Sequence, residues 1–131
     1  MEKMIDLGRS IFATFCGCTQ VPDDLIAFEQ ILKDACRISG AVVRKVGSVG
    51  DEFTPQGVTV AAILQESHAV IDTWPEYATL TFDIFTCGDH ADPAKAVRYL
   101  WEIFHPRKIL YIKGEMTEEM SVIERKTILF E

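Results

Sequence analysis

From Gly57 to Trp74 the chain runs eighteen residues without an internal glycine, proline or asparagine. That is too long for one ordinary strand, which spans about 3–10 residues. The run must break inside itself, and the polar cluster Gln65-Glu66-Ser67-His68 is the one place for the break. A reversal made without a turn-forming residue is expected to hold backbone strain, and strain of that kind gathers at functional sites. A serine hydroxyl beside a strained peptide carbonyl is the arrangement a chain needs to attack its own backbone.

The remaining residues bound the fold. At 131 residues the chain suits one domain, 1–131, large enough to bury a core without disulfide or metal staples. A hydrophobic content of 48% and a mean hydropathy of +0.11 exclude a disordered chain. No apolar run reaches the ~20 residues of a membrane helix, so no membrane partner is expected. Met1–Asp6 carries acids and no hydrophobic stretch of a signal peptide. A net charge of −7 and a pI near 4.9 argue against a nucleic-acid partner, for which a basic surface supplies most of the affinity. The four cysteines, Cys16, Cys18, Cys36 and Cys87, form no C-x-x-C pair and show no zinc-ligand spacing. They read as reduced thiols of a cytoplasmic protein without a metal, with Cys36 and Cys16 as small buried hydrophobes.

Patterning predicts nine elements in the order β-α-β-β-β-β-α-β-β. Gly8–Cys16 reads as a strand. Pro22–Ser39 reads as a helix with Leu25, Phe28, Leu32 and Ala35 inward, Ile31 and Ile38 beside them, and Gly40 at its end. Strands follow at Ala41–Val46, Gly57–Glu66, His68–Thr73 and Tyr77–Thr86. Asp92-Pro93 opens a second helix as cap and first-turn proline, running to about Phe104, and two strands close the chain at Lys108–Lys113 and Val122–Phe130. Two helices cannot cover both faces of a sheet this large. The expected fold is a two-layer α/β sandwich, a mostly antiparallel sheet with both helices on one face. The bare face must then be polar or be covered by a second subunit.

Two chemistries are open to Ser67. A Ser-His-Asp triad can be written from Ser67, His68 and Asp72, but the nucleophile-elbow pattern is missing, and adjacent Ser and His on a strand point to opposite faces. The other is self-attack. Cys87 ends a strand shortly before the helix at Asp92, whose start supplies positive potential that favours a thiolate.

Several motifs at fixed spacing now combine: Glu66-Ser67-His68, then Thr73-Trp74-Pro75-Glu76-Tyr77, then Thr86-Cys87-Gly88-Asp89, then Asp92-Pro93 and Lys95-Ala96. Together with Leu7-Gly8-Arg9 and with Phe53, Pro55, Gly57 and Val58, this pattern resembles the small prokaryotic S-adenosylmethionine decarboxylase proenzymes over about residues 7–104.

The resemblance implies an enzyme that makes its own pyruvoyl cofactor. Ser67 Oγ would attack the Glu66 carbonyl, and elimination would split the chain into a β chain, 1–66, and an α chain, 67–131, whose first residue becomes pyruvoyl. That group would form a Schiff base with S-adenosylmethionine and draw off the electrons of decarboxylation, for spermidine and other polyamine synthesis. Cys87 would return a proton to the substrate carbon. Phe53 matches an adenine-stacking ring, Glu76 a ribose-hydroxyl acceptor, and Trp74 a wall of the pocket. The site would lie between the protomers of a homodimer, with Ser67 and Cys87 from one and Phe53, Thr59, Asp72, Trp74 and Glu76 from the other. Thr59 precedes Ser67 by eight residues, roughly 26 Å along an extended strand, so one protomer is not expected to supply both.

The chain departs from the family pattern at several positions. Asp72 stands where a histidine assists self-processing, and a carboxylate is a weaker base than imidazole. Thr59 replaces a serine, Ser10 and Thr14 replace a histidine and an acid, and Val60 replaces a glycine whose loss is expected to displace nearby backbone. These changes leave room for two other readings: a decarboxylase of the same fold acting on ornithine or arginine, or an uncleaved regulatory homologue.

Overall fold

The computed structural model describes residues 5–50, 57–88 and 90–130. Seven strands form one sheet in the order β2-β3-β4-β5-β1-β6-β7, with every neighbouring pair antiparallel. The strands are β1 (Gly8–Cys16), β2 (Val43–Gly50), β3 (Val58–Leu64), β4 (Ser67–Trp74), β5 (Thr79–Thr86), β6 (Lys108–Met116) and β7 (Met120–Leu129). Helices α1 (Leu25–Ser39) and α2 (Pro93–Phe104) pack against one another and on the same side of the sheet. This is the expected two-layer α/β sandwich.

The long apolar run does break at its polar cluster. Leu64 pairs with Ser67, which leaves Gln65-Glu66 as a two-residue turn between β3 and β4. At its other end the run stops at Pro75, where Pro75–Tyr77 makes a single 3-10 turn and Ala78 takes a left-handed φ of 49°. That turn absorbs Tyr77, so β5 begins at Thr79 rather than at Tyr77.

Other boundaries move for local reasons. α1 starts at Leu25, not Pro22, because Asp24 is its N-cap and its side chain accepts from the Ala27 N–H at 2.7 Å. The second cap is as expected, Asp92 accepting from Ala94 N–H at 3.1 Å with Pro93 next. β2 runs on through Gly47 and Gly50, which had read as loop, because its ladder with β3 continues to Val58. β6 and β7 also lengthen by pairing with each other.

Alternation decides which face is buried. Ile11, Ala13 and Phe15 of β1, Val60, Ala62 and Leu64 of β3, Ala69 and Ile71 of β4, and Leu80, Phe82 and Ile84 of β5 lie under the helices. They meet Phe28, Leu32 and Ala35 of α1 and Ala96, Val97, Leu100 and Phe104 of α2. At the centre the Phe104 ring lies 6.3 Å from both Phe15 and Phe28. Val60, which stands where the family pattern has a glycine, is fully buried in this core, and its ladder to Ile71 is regular. Ile38 faces outward, and Cys18 rather than Cys16 joins Cys36 in the interior. Burial pushes both of those thiols up to about 12.

The opposite face of the sheet has no layer over it. Phe12, Ile63, Trp74, Leu110 and Ile112 stand exposed there among Thr59, Asp72 and Thr81. It is therefore not the plainly polar surface that a solvent-facing sheet presents. Among the described residues no helix is long and apolar enough to cross a membrane.

Phe104→Ala is expected to cost about 3–5 kcal/mol in urea unfolding, because it empties the centre of the aromatic cluster. Ile26→Ala, on the exposed side of α1, should change stability by less than about 0.5 kcal/mol.

Candidate active site

The turn at Gln65-Glu66 is tied on three sides. The Gln65 N–H donates to the Val42 carbonyl at 3.0 Å, and Arg44 Nη2 donates to Gln65 Oε1 at 2.9 Å. The Gln65 carbonyl accepts from Ser67 Oγ at 3.2 Å and from Cys87 Sγ at 3.5 Å. Between these anchors Glu66 is held at φ 59°, one of three non-glycine residues with positive φ among those described. A left-handed conformation costs a residue with a Cβ about 1–2 kcal/mol. The strain anticipated from the absence of a turn-former is thus present, and it falls on the residue just before Ser67. Cys87 Sγ also lies 3.9 Å from Glu66 Oε2.

Glu66, Ser67 and Cys87 line one cavity of about 480 Å³ with Leu7, Thr86 and His90. The end of β5 reaches this cavity because β1 lets it approach. Gly8 has φ +150°, and a Cβ built on it would sit 2.1 Å from the Thr86 carbonyl oxygen. The glycine of Leu7-Gly8-Arg9 therefore sets the position of Thr86 and Cys87. Thr86 itself is 1% exposed, and its hydroxyl has no hydrogen-bond partner among the described residues.

A second group forms elsewhere. Thr59 and Asp72 are cross-strand partners on the bare face, and Thr59 Oγ1 donates to Asp72 Oδ1 at 2.6 Å. Trp74 lies on the same face, and Glu76 sits in the 3-10 turn beyond it. The hairpin folds β3 back along β4, so Thr59 is not eight extended residues from Ser67. It is five ladder positions away, roughly 17 Å. The separation is shorter than the chain length suggested, but still too long for one cluster. His68 points away from Ser67 onto the bare face, where its ring stacks on Phe85 with centroids 6.1 Å apart. That orientation disfavours the Ser-His-Asp triad. Ser10 and Thr14 also lie on the bare face, paired with Phe85 and Thr81. Phe53 and Pro55 lie outside the described residues.

Residues 9–114 match the family described as S-adenosylmethionine decarboxylase. The chain belongs to that family. Relatives named S-adenosylmethionine decarboxylase proenzyme include one from Pyrobaculum islandicum, 43% identical over 83% of this chain and 87% of the relative. Another, from Fervidobacterium nodosum, is 40% identical over 88% of this chain and 85% of the relative. The crystal structure of the adenosylmethionine decarboxylase from Aquifex aeolicus superposes with a TM-score of 0.75 at 25% identity, covering 93% of this chain and 98% of that one. A Trypanosoma brucei AdoMetDC monomer shares the fold at a TM-score of 0.58 and 14% identity, over 82% of this chain and 46% of that one.

Sequence reasoning gave Gln65, Thr86 and His90 no role of their own. Gln65 stands in the polar cluster and Thr86 in a family motif, but only the folded turn reveals that one carbonyl gathers two reactive side chains. His90 belongs to no quoted motif; it is exposed, yet it lines the cavity.

In a Ser67→Ala background, Glu66→Gly should raise stability by about 0.5–1 kcal/mol, since glycine occupies the left-handed region without strain. Thermal or urea unfolding reads it, and a loss of stability would mean that the Glu66 side chain repays its own strain.

Proposed function

We infer that this chain is a pyruvoyl-dependent S-adenosylmethionine decarboxylase that first cuts itself between Glu66 and Ser67. The observation that carries the reading is the convergence of Ser67 Oγ and Cys87 Sγ on the Gln65 carbonyl, at a turn whose next residue is held in a strained conformation. Family membership supports the substrate.

In the self-cleavage, Ser67 Oγ bonds to the Glu66 carbonyl carbon as the Glu66–Ser67 C–N bond breaks, and the hydroxyl proton passes to the freed amine. A base then takes the Ser67 α-proton, and the Cβ–Oγ bond breaks to leave the Glu66 carboxylate on the β chain, 1–66. Tautomerisation and addition of water release ammonia from the first residue of the α chain, 67–131. The pyruvoyl group so made supplies an electron sink for decarboxylation. Cys87 and Glu66 flank that position, and Cys87 is suited to hand a proton to the substrate carbon.

The remaining contacts are assigned to a second protomer. The bare sheet face carries exposed apolar side chains, and Thr59 and Asp72 lie on it about 17 Å from Ser67, with Trp74 two residues further along β4. A two-fold pairing of these faces offers the Thr59–Asp72 end of one sheet to the Ser67 end of the other. In that arrangement Phe53 stacks on adenine, Glu76 accepts from the ribose hydroxyls, Trp74 walls the pocket, and Asp72 with Thr59 serves the cleavage step. The product is an aminopropyl donor for polyamine synthesis.

Denaturing mass spectrometry tests this. Two fragments divided between Glu66 and Ser67, the second starting with pyruvoyl, are expected, and a chain that stays whole on long incubation would rule the enzyme out. Ser67→Ala should give a folded, uncut chain. Cys87→Ala should still cut but release CO₂ from S-adenosylmethionine about 10²-fold more slowly. Asp72→His should speed cutting. CO₂ release from ornithine or arginine instead would reassign the substrate.

A further inference from the structure

Thr86 is the one buried side-chain polar atom without a partner among the described residues. An unsatisfied buried hydroxyl is costly, so its presence asks for a reason. The ladder between β4 and β5 pairs His68 with Phe85 and Ala69 with Ile84. One step further, the same register sets Ser67 opposite Thr86, with both side chains on the helix-covered side. Directly opposed residues carry their Cβ atoms about 4.5–5.5 Å apart, within reach of a hydrogen bond between two hydroxyls. Both residues line the cavity, and Ser67 Oγ is engaged with the Gln65 carbonyl, one residue away from the carbonyl it has to attack.

We propose that the Thr86 hydroxyl is a positioning residue for self-cleavage, accepting the Ser67 Oγ–H when that hydroxyl leaves the Gln65 carbonyl and turns to the Glu66 carbonyl carbon. Thr86 exchanges no proton and forms no bond. It holds the nucleophile during the acyl shift, while Gly8 fixes its own place against β1. The inference rests on the self-cleaving reading above.

The test compares wild type, Thr86→Val and Thr86→Ser for cutting rate and for Tm in the Ser67→Ala background. Thr86→Val keeps the shape and removes the unsatisfied hydroxyl, so Tm should hold or rise. Cutting should nevertheless slow by at least about fivefold, the scale of one neutral hydrogen bond. Thr86→Ser should cut near the wild-type rate. Hydroxylamine, which splits esters, should not release fragments from Thr86→Val, because the block precedes ester formation. Wild-type cutting by Thr86→Val overturns the inference and leaves the enzyme reading intact. So does a fall in Tm with equal slowing in Thr86→Ser, which marks a packing role, or fragment release by hydroxylamine, which moves Thr86 to a later step. A wild-type chain that never cuts overturns both.

Discussion

The hydrogen bonds that hold Gln65 are the constraint on which the site depends. Its N–H and its side chain tie the turn to the start of β2, and its carbonyl gathers Ser67 and Cys87 from two different strands. With both flanks of the turn fixed, the reversal between β3 and β4 has to be completed by Glu66, which has no glycine-like freedom. The left-handed backbone at Glu66 is thus a consequence of how firmly its neighbour is anchored. A glycine there would relax the turn, and would also remove the carboxylate that lies near Cys87.

Much of the fold is legible without coordinates because its signals are local. Asp92-Pro93 starts a helix for reasons contained in two residues, and the alternation of β3 and β5 states which face is buried. Boundaries that depend on partners are not legible in this way. β2 runs through two glycines because β3 is there to pair with it. The candidate site divides similarly. Ser67, Glu66 and Cys87 are named by motif, whereas Gln65 and Thr86 matter through a carbonyl and a ladder register that carry no sequence signature.

The same geometry separates the chemistry into two halves. Glu66, Ser67 and Cys87 sit where β4 begins and β5 ends. Thr59 and Asp72 sit five ladder positions along, on the side away from the helices. An antiparallel hairpin makes that separation unavoidable, since moving away from its turn along either strand increases the distance from Ser67. The exposed apolar residues between the halves make the sheet face costly to leave in water and well suited to cover a second copy. In the proposed two-fold pairing, completion of the site and burial of that face would be one event.

Asp72 is best understood together with Thr59. The Thr59 hydroxyl already occupies one acceptor position of the Asp72 carboxylate within its own sheet. That hydrogen bond fixes its direction, because the two side chains stand directly opposite each other on one rung of a regular ladder. The pair therefore gives up an open acceptor position and gains placement. Where the slow step is the removal of an α-proton, that exchange slows cleavage. Where it is the rearrangement that brings Ser67 Oγ to its target, a fixed acceptor supplied by the proposed second protomer costs little, and the burden falls on the residues that aim the nucleophile.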